Sequence, residues 1–184
     1  NGTKMAYHGV GGILRLRPDG TDLRVVARGT RNSIGLAFDS GWNLFSNDND
    51  HESMPGKYVP GRLLHVTEKA YFSWPRGWML EKDPGRADML QTIVADMGRA
   101  VPVGQAYNAD AYFPKRYRGS LLVARWGIRA VTRCRLERRG ATFHAQEEPF
   151  LMGSGQARPV GVCVGRGGRV FVVVCHMAGN EASP

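Results

Sequence analysis

The sequence has 184 residues, of which 42% are hydrophobic, so one domain with a sizeable core can form. The net charge of +9 suggests binding to anionic partners such as nucleic acids. The basic residues are scattered, however, except for a denser patch at 125–139. No recognition helix or aromatic-plus-basic motif accompanies them, which argues against specific nucleic-acid binding and leaves a basic surface for polyanions as a hypothesis. No run of 18 apolar residues and no basic-then-apolar leader is present, so neither a membrane span nor a signal peptide is predicted.

The three cysteines are too few for a disulfide framework. We expect all of them, Cys134, Cys163 and Cys175, to be buried thiols. Val172 stands where a c-type haem attachment motif ending at His176 would need a cysteine, so covalent haem is not encoded in this chain.

The chain begins with a predicted antiparallel strand pair. Residues 13–17 alternate apolar and basic side chains, which is typical of a half-exposed strand. Residues 18–21 predict a turn, because the proline presets φ and Gly20 accepts a positive φ. Residues 23–27 then return antiparallel. We interpret this pair as the outer part of one blade and the next hairpin as the inner part of the following blade.

The stretch 28–52 carries the most polar chemistry. Residues 34–38 predict a strand, 39–41 a tight turn and 42–46 a second strand that ends in an acidic loop. A hairpin returns the chain to the edge it left, so the loop carrying Arg31 and Asn32 should share one rim with the acidic loop.

The acidic loop contains Asp48, Asp50 and Glu52, which we predict as metal ligands. An EF-hand is excluded, since Ser53 and Val59 occupy the positions of its glycine and its bidentate glutamate. The alternative is a solvated acidic loop whose carboxylates pair with nearby arginines.

Further along, 62–66 predicts a strand and 71–75 an aromatic cluster bounded by proline. Residues 85–97 differ, because their apolar side chains recur at helical spacing and predict a short inserted helix. These side chains are Leu90, Ile93, Val94 and Met97. Strands at 120–125, 130–136 and 142–144 are then expected to form a meander.

The last hairpin, 159–174, repeats the first one. Gly35 aligns with Gly161 and Phe45 with Phe171 at the same offset. This offset is about three units of the roughly 40–45 residues that form a propeller blade. The repeat and the many short strands predict an all-β fold, a partial β-propeller that spans 1–184 as one domain with a helical insertion near 85–97.

The sequence is shorter than most closed propellers of roughly four to eight blades require. No initiator methionine precedes Asn1, and residues 180–184 carry no strand or helix signal. We therefore expect a fragment of a larger propeller.

A family resemblance rests on five runs of sequence. They are I-L-R-L-R-P-D-G-T-D, V-A-R-G-T-R-N-S-I-G-L-A-F-D, L-F-S-N-D-N-D, F-P-K-R-Y-R-G-S-L-L-V-A-R-W-G and P-F-L-M-G-S-G-Q-A-R-P-V-G-V-C-V. Together they resemble the glucose/sorbosone dehydrogenase family, whose six-bladed quinoprotein propellers hold pyrroloquinoline quinone (PQQ). They cover most of the chain except 77–101. The resemblance is closest to the "membrane-bound dehydrogenase" propellers of planctomycete-type bacteria, which are often fused to a c-type haem domain.

The resemblance implies about half of a six-bladed propeller with PQQ and Ca²⁺ as cofactors. It also implies a sugar or alcohol substrate, a c-type haem domain as electron acceptor, and a periplasmic or secreted location. The family's catalytic histidine lies in an earlier blade with no counterpart here, so the catalytic base is unassigned.

The implied cofactor residues follow from matched motifs. The family's quinone-contacting motif R-N-P-x-G-L matches Arg31, Asn32, Gly35 and Leu36, with Ser33 replacing the proline. Its R-x-R-D-V motif matches at Arg158, while Gln156 and Pro159 depart from it. Its Y-G-W-P element resembles 72–75 and implies Trp74 at the pocket mouth.

Two functions remain open at this point. In a dehydrogenase, arginines would bind the three PQQ carboxylates, and Ca²⁺ would polarise the quinone carbonyl that accepts hydride. The alternative is a non-catalytic binding or scaffold propeller with a decayed cofactor site, which the departures from the motifs favour. Packing roles for Trp74 and Trp126, and structural roles for the lone histidines, also stay open. These histidines are His51, His65 and His176.

Overall fold

The computed structural model describes residues 11–49, 61–74 and 93–176. These ranges contain thirteen β-strands and one short 3-10 turn at Lys115–Tyr117. The strands are β1 (Gly11–Arg15), β2 (Arg24–Thr30), β3 (Ser33–Phe38), β4 (Leu44–Asp48), β5 (Gly61–Val66), β6 (Ala70–Tyr71), β7 (Ile93–Gly98), β8 (Pro102–Asn108), β9 (Ser120–Arg125), β10 (Ala130–Arg139), β11 (Thr142–Met152), β12 (Ala157–Gly165) and β13 (Arg169–His176). No helix in these ranges is long and apolar enough to cross a membrane.

The strands form four sheets in chain order. Two sheets have four antiparallel strands each, β3-β4-β5-β7 and β8-β9-β10-β11. The pair β1–β2, joined by the parallel β6, precedes them, and the pair β12–β13 follows them. Strand β8 contacts both β3 and β12, whereas β7 contacts β11. The sheets are thus consecutive propeller blades with β3, β8 and β12 at their inner edges, and the predicted division into an outer pair and an inner hairpin is confirmed.

Glycines allow the inner strands to approach one another closely. A Cβ on Gly104 in β8 would lie 2.7 Å from the Cα of Gly161 in β12. A Cβ on Gly35 in β3 would lie 2.5 Å from the carbonyl oxygen of Val103 in β8. Each of these glycines ends a similar tripeptide, S-I-G in β3 and P-V-G in β8 and β12. The repeat therefore has a third copy in β8, and the aligned hairpins are two blades apart rather than the predicted three.

The main core lies between the two four-stranded sheets. We call β3-β4-β5-β7 the first complete blade and β8-β9-β10-β11 the second. Phe45 and Phe143 meet edge to face with ring centroids 5.2 Å apart. Burial of large apolar side chains such as these contributes about 1.5–3 kcal/mol each. The buried members of this cluster are Phe45, Leu63, Val94, Met97, Leu121, Val123, Cys134, Phe143 and Ala145. A second cluster, which includes Ile13, Leu64 and Phe72, packs β1, β2 and β6 against the first blade.

The predicted helix is wrong where the structure describes it. Residues 93–97 belong to β7, which pairs antiparallel with β5, while 85–92 lie outside the described residues. Val94 and Met97 are both buried although they are three residues apart. The β5–β7 register shifts at two points, and such bulges change which face a side chain occupies. An irregular strand thereby reproduced the apolar spacing of a helix.

The prediction of three buried thiols holds only for Cys134. Cys163 is exposed and Cys175 is half-buried. Both lie in the β12–β13 pair, against which no third described strand pairs. Burial in an apolar environment raises the pKa of the Cys134 thiol to about 12.

Candidate functional site

Most of the predicted site residues lie at one end of the blades, which we call the upper rim. Strands β3 and β12 begin there, and β4 and β9 end there. Ser33 pairs with Asp48 in the β3–β4 register, so the loop carrying Arg31 and Asn32 lies beside the start of the acidic loop, as the sequence predicts. Arg158, in the second residue of β12, lies on the same rim.

The Asp48 carboxylate organises the loop that precedes β3. Its Oδ1 accepts hydrogen bonds from the backbone N–H of Asn32 at 2.8 Å and of Arg31 at 3.1 Å, and from the Ser33 hydroxyl at 3.3 Å. Asn32 in turn accepts a hydrogen bond at its carbonyl from the Asn49 N–H at 3.3 Å. The loop is therefore held from β4 through its main chain, which leaves the side chains of Arg31 and Asn32 to face other groups.

A buried arginine completes the Asp48 environment. Arg62 Nη2 lies 2.7 Å from Asp48 Oδ2, and the two side chains are 3% and 0% exposed. Arg62 Nη1 also donates to the carbonyl of Phe72 at 3.0 Å. Desolvation lowers the pKa of Arg62, and the charge of Asp48 opposes this shift.

Trp74 reaches the rim through the strand pair β2–β6. The Trp74 N–H donates to the carbonyl of Gly29 at 2.9 Å. Gly29 has a φ of +74°, and a Cβ there would lie 2.7 Å from the Ser73 nitrogen, so the two segments cross at a point that only glycine fits. The guanidinium carbon of Arg31 lies 5.6 Å from the centroid of the Trp74 ring.

A second arginine–tryptophan pair lies on the same rim. The guanidinium carbon of Arg158 is 4.4 Å from the centroid of the Trp126 ring, and its Nη1 donates to the Trp126 carbonyl at 3.2 Å. Contacts of this kind contribute about 0.5–1 kcal/mol at exposed sites. Both pairs are half-buried, so each guanidinium is oriented by an aromatic plane and still reaches the surface.

Asn49 is a rim residue that the sequence did not single out. It is 3% exposed, and its Oδ1 has no hydrogen-bond partner in the described part of the chain. A buried acceptor without a partner is costly and needs an explanation, for which a bound ligand is one candidate. Its position directly after Asp48, within the acidic loop, was the available signal.

Of the three predicted metal ligands, only Asp48 lies in the described residues. Asp48 is engaged by Arg62 and the loop, whereas Asp50 and Glu52 lie outside the described residues. Within the described ranges, no three His, Cys, Asp or Glu side chains are grouped so that they could hold a metal ion. The metal site stays a prediction.

Two of the three histidines singled out from the sequence, His65 and His176, lie in the described residues. His65 lies away from the rim, stacked on Phe45 and edge-on to Phe143, with its Nδ1 3.2 Å from the Thr142 hydroxyl. Burial lowers its pKa. His176 ends β13 at the rim and is exposed. His65 therefore has a packing role, and His51 lies outside the described residues.

The solved structures that this fold resembles include several sugar dehydrogenases. Aldose sugar dehydrogenase from Streptomyces coelicolor, in its PQQ-bound form, matches with a TM-score of 0.68 and 23% identity over 95% of this chain and 48% of that chain. A Thermus thermophilus oxidoreductase described as a glucose dehydrogenase matches with a TM-score of 0.62 and 24% identity, over 80% and 40%. The soluble aldose sugar dehydrogenase of Escherichia coli, in its apo-form, matches with a TM-score of 0.61 and 17% identity, over 85% and 46%.

This chain has the propeller fold of sugar dehydrogenases. It spans less than half the length of each of these three proteins. No protein-family profile and no curated protein sequence matches it. The predicted all-β partial propeller is therefore confirmed at the level of fold, and the resemblance read from the sequence agrees with the proteins that share this fold.

Proposed function

We propose that this chain forms part of the cofactor-binding face of a PQQ-dependent dehydrogenase that oxidises a sugar or alcohol. The observation that carries the proposal is the pair of arginine–tryptophan contacts, Arg31 with Trp74 and Arg158 with Trp126, on one rim of this fold. The PQQ-bound S. coelicolor protein shares the fold, which supports the choice of cofactor.

The rim residues fit the chemistry of PQQ. The cofactor is planar and carries three carboxylates, and guanidinium groups bind carboxylates through charge-assisted, often paired hydrogen bonds. Arg31 and Arg158 would hold these carboxylates, and Asn32 would add an amide donor. The Oδ1 of Asn49, which has no hydrogen-bond partner among the described residues, would accept a hydrogen bond from the ligand. The indole planes of Trp74 and Trp126 keep both guanidiniums in place.

When bound, PQQ supplies the group that accepts a hydride from the substrate carbon. The residues of this chain bind and orient it, and the general base for the substrate hydroxyl proton belongs to no residue assigned here. In the proposal Ca²⁺ is held by oxygen ligands that include Asp50 and Glu52. Asp48 is less suited, because its carboxylate already carries the charge-paired contact to Arg62.

The remaining parts of the proposal concern the partners. The substrate class is a sugar or alcohol, and a c-type haem domain is the proposed electron acceptor. The proposed location is periplasmic or secreted. These assignments draw their support from the sequence resemblance and from the shared fold with the aldose and glucose dehydrogenases.

Reconstitution of the intact protein tests this function. The purified protein is mixed with PQQ and Ca²⁺, and aldose or alcohol oxidation is followed with an artificial electron-accepting dye. We expect dye reduction that requires both PQQ and substrate, with the Lys115→Ala protein as a variant outside the site. A folded protein that binds no PQQ and reduces no dye would favour the alternative, a binding or scaffold propeller.

A further inference from the structure

The Asp48–Arg62 pair is the most deeply buried ion pair among the described residues. The side chains are 0% and 3% exposed and 2.7 Å apart. Removing two charges from water costs free energy that their mutual attraction offsets only when geometry and further hydrogen bonds are good. A pair of apolar residues could fill the same volume, so stability alone does not explain these charges.

The contacts of the pair join four chain segments. Asp48 in β4 holds the loop before β3 through the Arg31 and Asn32 N–H groups. Arg62 in β5 holds the segment after β6 through the Phe72 carbonyl. Arg31 extends from the first of these segments and Trp74 from the other, and their side chains meet. The ion pair therefore links these two segments in addition to the direct hydrogen bond from the Trp74 N–H to the Gly29 carbonyl.

We propose that Asp48 and Arg62 are positioning residues, which fix Arg31 and Trp74 relative to each other so that the rim is ordered before its ligand binds. This inference rests on the proposed function for its ligand, PQQ, but its structural part holds in the free protein. Pre-ordering saves the free energy of fixing a loop during binding, and a misplaced guanidinium loses much of its contribution.

The second complete blade offers a matched control in Arg133. This side chain is also buried, donates to the carboxylate of Glu148 and donates to the backbone carbonyl of Arg116. It also donates to the Ser120 hydroxyl at 3.1 Å. Ser120 begins β9 at the end opposite the upper rim, so the Arg133 contacts stabilise the blade without touching the site.

The test uses Arg62→Lys and Arg133→Lys in the intact protein. Lysine keeps the charge but lacks the planar fork, so it cannot serve a carboxylate and a carbonyl in the same geometry. Amide hydrogen exchange is first measured without PQQ. We expect the amides of 29–33 to exchange about tenfold faster in Arg62→Lys only, because exchange reports local opening. Unchanged exchange, or an equal increase in Arg133→Lys, would overturn the positioning role.

Calorimetric titration with PQQ then tests the link to binding. We expect Arg62→Lys to weaken PQQ binding about tenfold, while Arg133→Lys binds like the unmodified protein even if its thermal midpoint falls as far. Equal binding by both variants would refute the coupling. If the unmodified protein binds no PQQ, the proposed function fails, and the exchange experiment decides the positioning role by itself.

Discussion

The two complete blades bury different chemistry at the same place. The second strand of the first blade, β4, buries Ser46, Asn47 and Asp48, each 0% exposed. The second strand of the next blade, β9, instead buries the apolar residues 121–124, also 0% exposed, and ends in Arg125, which is 2% exposed and donates to the Glu147 carboxylate. Both strands pair on both sides within their sheets. Both strands thus end in a buried charge at the upper rim, but Val123 and Ala124 show that apolar residues satisfy the blade geometry just before it. Ser46 and Asn47 in β4 therefore point to a task beyond holding the blade together.

The polar residues of β4 contact two different parts of the molecule, the second blade and the loop of the upper rim. The Asn47 amide donates to the carbonyl of Val103 at 2.5 Å and to the Gln105 side chain at 3.1 Å, and Gln105 donates to the Phe45 carbonyl at 2.7 Å. Asn47 thus ties the first blade to the second. Asp48 points to the loop of the upper rim. The polar residues of β4 therefore serve both the loop that carries Arg31 and the contact with the second blade.

The largest expected effect comes from removing the buried carboxylate. Asp48→Ala leaves Arg62 buried without its counter-charge, so the free energy of unfolding should fall by about 3–5 kcal/mol. Urea denaturation followed by circular dichroism measures this loss. A loss below about 1 kcal/mol would mean that water reaches Arg62, which contradicts the burial of the pair.

A cavity in the second blade should lower the stability of the protein without changing its affinity for PQQ. Leu122 is 0% exposed in β9, and Leu122→Ala should lower the free energy of unfolding by about 3 kcal/mol. PQQ affinity should stay unchanged under conditions where the variant is folded, because no rim residue depends on this side chain. If Leu122→Ala lost as much PQQ affinity as Arg62→Lys, the proposed difference between the two blades would be contradicted.

The contact between inner strands can be tested with two glycines that face each other. In Gly104→Ala the new methyl would lie 2.7 Å from the Gly161 Cα, so the blades must separate. In Gly161→Ala the nearest atoms, in Val173, are at an ordinary 3.5 Å. We expect Gly104→Ala to destabilise by about 1–3 kcal/mol and Gly161→Ala by clearly less, as measured by thermal unfolding. Equal losses would contradict the close approach of β8 and β12.

The last effect, which is absent at neutral pH, concerns the buried thiol of the second blade. The pKa of Cys134 is raised from 9.0 to about 12, so the folded protein keeps the thiol protonated where the unfolded chain ionises. Its contribution to stability is complete below pH 9 and is lost as pH rises from about 9 towards 12, by about 1 kcal/mol per pH unit. Cys134→Ala should remove this part of the pH dependence in urea titrations. An unchanged slope in the variant would show that the thiol is not desolvated.

The sequence predicted the parts of this fold that depend on local pattern. A short apolar run and the Asp-Ser-Gly turn indicated the β3–β4 hairpin, and the outer pair β1–β2 followed from alternating side chains at 13–17 and the turn at 18–21. The predicted helix failed at 93–97 because bulges in the β5–β7 pairing alter the strand period, and such bulges depend on the partner strand. The third copy of the glycine tripeptide in β8 was missed because its flanking residues resemble a turn.

The site was predictable only in its motifs. Arg31, Asn32, Trp74 and Arg158 were named from the resemblance, and the structure brings Arg31 to Trp74. That contact depends on β6, a two-residue strand parallel to β2, which no sequence pattern marks. A carboxylate such as Asp48 suits a metal or an arginine equally well, and its partner Arg62 lies on another strand.

The most direct test of the account is calorimetric titration of PQQ, with and without Ca²⁺, into the intact protein and its Arg31→Ala and Arg158→Ala variants. Arg169→Ala, at the opposite end of β13, serves as the control. We predict micromolar or tighter binding that weakens at least about tenfold in each rim variant and is unchanged in the control. Absence of binding by the folded protein, or equal binding by all variants, would contradict the quinone site on this rim.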